Sequence, residues 1–179
     1  MKSSIYFIDN NLYETCKVID AMKKYFRDRV QQELDSTMFL ININGDSDEE
    51  TIKYFSDIFE KNKTNLKECK SMEEIKESIA DISTENTIVM VDLHMVESEE
   101  KIIDEDADYK CISMQCMEEL ERVGISYVWY SSYAGSKFKD QWQSRFQKLY
   151  NKEIPTIYQR DDLIQAHFRV AVAKEILGV

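Results

Sequence analysis

Residues 87–95, TIVMVDLHM, decide the fold. Thr87 to Val91 are β-branched or apolar without interruption. A short run of that kind, with no polar residue at alternate places, reads as a strand covered on both faces, as in a parallel sheet. It then runs straight into Asp92. The carboxylate is either a strand-end cap or part of a site, and the rest of the chain has to say which.

Outward from that strand, apolar runs alternate with amphipathic stretches. Ser4 to Ile8 reads as a strand, and Leu12 to about Leu34 as a helix with Cys16, Ile19, Met22, Phe26 and Val30 on one face. Thr37 to Ile43 is a second strand, followed by a helix with Ile52, Phe55, Ile58 and Phe59 inward. Leu66 to Cys69 is short and weak. Ser71 with Glu74 three residues on forms a capping-box pattern for the next helix. After Asp92, a helix from about Tyr109 to Val123 is closed by Gly124. The strand in 125–132, a helix over 138–150, a strand over 154–158 and a last helix to about Leu177 complete the order. Repeated βα units of this kind predict an α/β fold: a doubly wound, mostly parallel sheet covered on both faces.

The chain has 179 residues, 43% of them hydrophobic, which supports one domain over 1–179 with a proper core. A net charge of −11 disfavours nucleic acid. The basic cluster Lys17, Lys23, Lys24, Arg27 and Arg29 falls at helical spacing and reads as a solvated face. No apolar run reaches the ~18 residues of a membrane span, and Asp9 comes too early for a signal peptide. Cys16, Cys69, Cys111 and Cys116 contain no C-x-x-C pair, and His94 and His167 are far apart, so a zinc site is disfavoured and reduced thiols in a cytoplasm are expected. Asp104, Asp106 and Asp108 resemble the start of a calcium loop, but Tyr109 and Gln115 stand where Gly and Glu are needed.

Sites in open parallel sheets form outside the carboxyl ends of the strands. This chain places Asp9, Asn10 and Asn11 after the first strand, Asp92 after the third apolar one, Ser131 and Ser132 after YVWY, and Gln159 and Arg160 after the last. Two neighbouring carboxylates repel unless a cation lies between them, and hard oxygen ligands suit Mg²⁺. Each residue also has a plainer reading. Asn10 and Asn11 are good helix caps, the serines can satisfy loop backbone, and Arg160 can pair with Asp161 or Asp162 beside it.

These segments resemble the receiver domains of two-component response regulators. IYFIDNN is similar to that family's first strand with its acidic pair, TIVMVDLHM to the strand bearing the phosphoacceptor, and ISYVWYSSYAG to the strand bearing the switch hydroxyl. LKECKSMEEIKESI resembles its second strand and helix. The resemblance implies a flavodoxin-like, receiver-like sandwich with strand order 2-1-3-4-5. It implies Asp92 as phosphoacceptor, Asp9, Asn10 and Asp92 as the Mg²⁺ position, Ser131 as the switch hydroxyl, and His94 as a modulator of phosphoryl lifetime. An inserted βα element, about residues 35–64, would lie at one sheet edge, with TMFLINI either the second strand or an extra one. The departures are Asn10 in place of the second acid, Val96 in place of Pro, and Gln159 or Arg160 in place of the expected Lys.

With those losses the expectation is a pseudo-receiver: a signalling or regulatory module working through protein contacts, not an enzyme, with Mg²⁺ weakly held if at all. An active phosphoacceptor receiver and a Mg²⁺-dependent phosphatase are the alternatives. The expected partner is a kinase, an effector or a second copy, docking on residues 138–177 through Trp142, Phe146 and Phe168 with Arg145 and Arg169.

Overall fold

The computed structural model describes residues 4–93, 95, 111–132 and 136–164. His94, the acidic stretch 97–109, the alternating aspartates 104–108, and His167, Phe168 and Arg169 lie outside the described residues. Six strands form one parallel sheet: β1 (Ser4–Asp9), β2 (Asp35–Ile41), β3 (Thr64–Cys69), β4 (Thr87–Asp92), β5 (Tyr127–Ser131) and β6 (Ile157–Gln159). Their order is β3-β2-β1-β4-β5-β6. The chain winds outward from β1 to β3, crosses back, and winds outward again from β4 to β6. The α/β doubly wound reading therefore holds.

The pairing decides which unit is extra. The segment expected to be inserted, 35–64, contributes β2, which pairs directly with β1 from Ser4↔Asp35 to Asp9↔Leu40. The unit added to a five-strand order is instead β3 with the helix that follows it. The physical reason is polarity. Met38 to Ile41 are all buried, as an inner strand requires. Asn65 and Lys67 are exposed in β3, which suits an edge whose open backbone must discourage further pairing.

Local sequence sets the helix ends. The Asn11 side chain caps α1 (Leu12–Tyr25) by accepting from Glu14 N at 3.0 Å. That helix widens at its exit into a π-helical turn, Phe26–Val30, and stops at Gln31 with φ +56°, short of the Leu34 expected from periodicity. Asp48 caps α2 (Glu49–Lys61) and Ser71 caps α3 (Met72–Ala80). Glu74 reaches back to Lys70 N at 2.6 Å, so the capping pattern is reciprocated one residue early. Gly124, φ +76°, ends α4 (Ile112–Val123), in the left-handed geometry that glycine adopts freely. The remaining helices are α5 (Ser136–Tyr150) and α6 (Arg160–Ile164).

Each sheet face carries its own core. Phe7, Met38, Met90 and Tyr130 pack with residues of α1, α2 and α6. Val89, Val91 and Trp129 pack with residues of α3, α4 and α5. Trp142 and Phe146, expected to offer a partner surface, belong to this second core. Phe146 meets the Trp129 ring edge-on, with centroids 6.5 Å apart. No helix among the described residues is long and apolar enough to cross a membrane.

Phe146→Ala should lower unfolding free energy by about 3–5 kcal/mol, measured by urea titration. Gln141→Ala on the exposed side of the same helix should stay within about 0.5 kcal/mol.

Candidate functional site

Strand parity builds the site. Successive side chains point to opposite faces, so Asp9 shares a face with Phe7, Asp92 with Met90, and Ser132 with Tyr130. Those three aromatic or apolar residues all lie in the α1-side core. The acids are therefore aimed at α1 and α6, at the point between β1 and β4 where the chain reverses direction. In doubly wound sheets this switch point is the ligand crevice.

Here the crevice is filled from within. Arg160 Nη2 donates to Asp9 Oδ2 at 2.8 Å and to Asp92 Oδ1 at 3.0 Å. Its other terminal nitrogen reaches Ser132 Oγ at 3.1 Å, and its guanidinium lies 5.1 Å from the Tyr130 ring centre. Asp9 is 0% exposed, and Asp92 and Arg160 are 4% exposed. Asp9 Oδ2 also accepts from Thr15 Oγ1 at 2.6 Å and from Tyr130 Oη at 2.5 Å, and Asp9 Oδ1 accepts from Asn11 N at 2.8 Å. Four donors thus share this one carboxylate.

Charge accounts for the arrangement. Two buried acids would repel strongly without a cation between them. Arg160 supplies one, and hydroxyl and amide donors hold the remaining negative charge. Burial works against the guanidinium's own charge, but the Asp9 and Asp92 carboxylates outweigh it and its pKa moves up. Burial, then the charge of Asp9, pushes the Tyr130 phenol well above its ordinary range, so it stays a donor. Within this cluster the Arg160 Nε–H is buried without a hydrogen-bond partner.

The structure brings Asp9, Asp92 and Arg160 together. Arg160 reaches across the sheet to Asp9 and Asp92. Ser132 meets the guanidinium, and Ser131, the expected hydroxyl, has the opposite strand parity. Asn10 is half-exposed in the β1–α1 turn, while Asn11 is the helix cap. His94 lies outside the described residues. Sequence reasoning missed Thr15 and Tyr130. Parity could have found Tyr130, since it shares a face with Ser132.

The 3-2-1-4-5-6 order is also that of dinucleotide-binding sheets, whose first turn carries glycines that let a pyrophosphate approach. In this chain Asp9, Asn10 and Asn11 form the turn, and the Asp9 carboxylate takes the Asn11 amide. The anion at this helix start is internal.

No protein-family model matches the chain, and no curated protein matches it. A solved structure that it resembles is described as the crystal structure of isoflavone reductase, with 11% identity and a TM-score of 0.46. The match covers 73% of this chain and 36% of that one. The receiver-type function expected from the motifs is corrected at this point. The residue at the acceptor position is a buried carboxylate already bonded to Arg160. That geometry leaves neither an accessible nucleophile nor an open acidic pair, so the phosphoacceptor and phosphatase readings fall, and with them the receiver-type role built on this pocket.

Arg160→Met should destabilise the fold by about 3–5 kcal/mol, because it strands two buried carboxylates. Chemical denaturation at neutral pH checks this. The raised phenol gives a second expectation. Its stabilising share is complete below the ordinary tyrosine pKa of about 10 and is lost as pH rises beyond it. Tyr130→Phe should flatten the alkaline fall in stability, measured by denaturant midpoints across that range.

Proposed function

We propose that this chain is a binding domain whose switch-point crevice is a structural lock, so that recognition takes place elsewhere on its surface. The observation that carries this reading is the single Arg160 nitrogen bonded to both Asp9 and Asp92. A guanidinium there occupies the place a divalent cation would need between two acids. Mg²⁺ could enter only by expelling it into water and breaking its bonds to both carboxylates. Asp9, with four donors already, has little capacity left for a metal.

The thiols are consistent with a binding role in a reducing cytoplasm. All four cysteines are free and buried. Burial raises the Cys16 and Cys111 thiols to about 11, which keeps them protonated and unreactive.

Incubation with Mg²⁺ and a small phosphodonor, followed by intact mass, should show no addition, and Mg²⁺ with beryllofluoride should leave the melting temperature unchanged. Stoichiometric phosphoryl addition that Asp92→Asn abolishes would overturn the reading. A saturable Mg²⁺-dependent rise in melting temperature would do the same.

A further inference from the structure

At the opposite, amino-terminal edge of the sheet lies an open groove of about 680 Å³. It is bounded by the end of α1, the π-helical turn, the connection into β2, and the junction of α2 with β3. The chain as a whole carries −11, yet this groove is lined by Lys23, Lys24, Arg27, Lys61 and Lys63 against Asp20, Glu33 and Asp35.

The lining sorts into groups that are engaged and groups that are available. Lys23 Nζ is fixed on the carbonyls of Asn62 and Lys63, just past the end of α2. Asn62 donates to Asp20 at 2.8 Å, and Lys63 pairs with Glu33 at 3.0 Å. The acids of the groove are thus largely occupied by its own donors. Lys24 and Lys61 make no hydrogen bond or ion pair among the described residues, and Arg27 has a 3.4 Å contact with its neighbour Asp28. Three cationic residues therefore line one opening, and of these only Arg27 has a charged partner, its exposed neighbour Asp28.

The backbone is also unusual here. Gln31 and Lys63, both lining the groove, hold φ +56° and +53°. A side chain there costs more than glycine would, and the position after a helix end is where glycine usually sits. A single π-helical turn inside or at the end of an α-helix frequently marks a functional site. Strain, an irregular turn and unpaired cations coincide at one concavity of ligand size.

We propose that this groove binds a small dianion of the phosphate-ester class, held by Lys24, Arg27 and Lys61, with Lys23 as a fixed charge beneath it. The proposal rests on the binding-domain reading and gives it a ligand class. The chain's overall negative charge opposes anion entry at low salt. At about 0.15 M salt the screening length is about 8 Å, so that distant repulsion is damped while direct contacts persist.

The test is calorimetric titration of the full chain with glycerol phosphate, a simple phosphate-monoester dianion, at that salt and pH 7.5. One saturable site is expected. Lys24→Gln with Lys61→Gln should weaken it about ten-fold or more per lysine, the scale of a charge-assisted bond. Lys53→Gln, an exposed lysine outside the groove, should change nothing, and circular dichroism should show the double variant folded. An absence of saturable heat, or equal affinity in the folded double variant, would overturn the proposal. Phosphoryl addition at Asp92 would instead strike the structural-lock reading, so the two can fail separately.

Discussion

A guanidinium between two carboxylates, out of water, is the constraint on which the rest of the structure turns. Each buried charge is costly alone. Together they are tolerable only if β1, β4, β5 and the start of α6 hold their ends within hydrogen-bonding range. The sheet order meets that condition, because it places β1 beside β4 and β5 beside both β4 and β6. Tyr130 and Thr15 then complete the coordination of Asp9. The network fixes where the last described helix meets the sheet more firmly than its five residues could alone.

Much of this framework was legible in the sequence. Unbroken apolar runs such as Thr87 to Val91 announced strands buried on both faces, and all six residues of β4 are indeed buried. Asn11, Ser71 and Gly124 marked helix ends because caps and left-handed stops are local chemistry. The convergence of Asp9, Asp92 and Arg160 on one edge could also be anticipated, since strand ends are local and the sheet gathers them.

What could not be read depended on distance along the chain. Whether Arg160 would pair with Asp161 or with a residue 151 positions earlier is settled by packing, not by neighbours. The same holds for Trp142 and Phe146. Their four-residue spacing suits a core face or a partner-facing patch equally, and Trp129 on the neighbouring strand decides for the core. The motif likeness failed for a related reason. Short strand-end motifs specify where acids lie, but not whether a cation from a distant helix already sits between them.

The separation between Asp9 and Arg160 has a consequence for how the molecule is made. At roughly 5–20 residues per second of synthesis, the last partner of Asp9 is made about eight to thirty seconds after the acid itself. Until then β1 and β4 carry two carboxylates that must stay hydrated, so their shared edge cannot close on the ribosome. The nascent sheet is held open by its own charge, and the arrival of one arginine lets water leave.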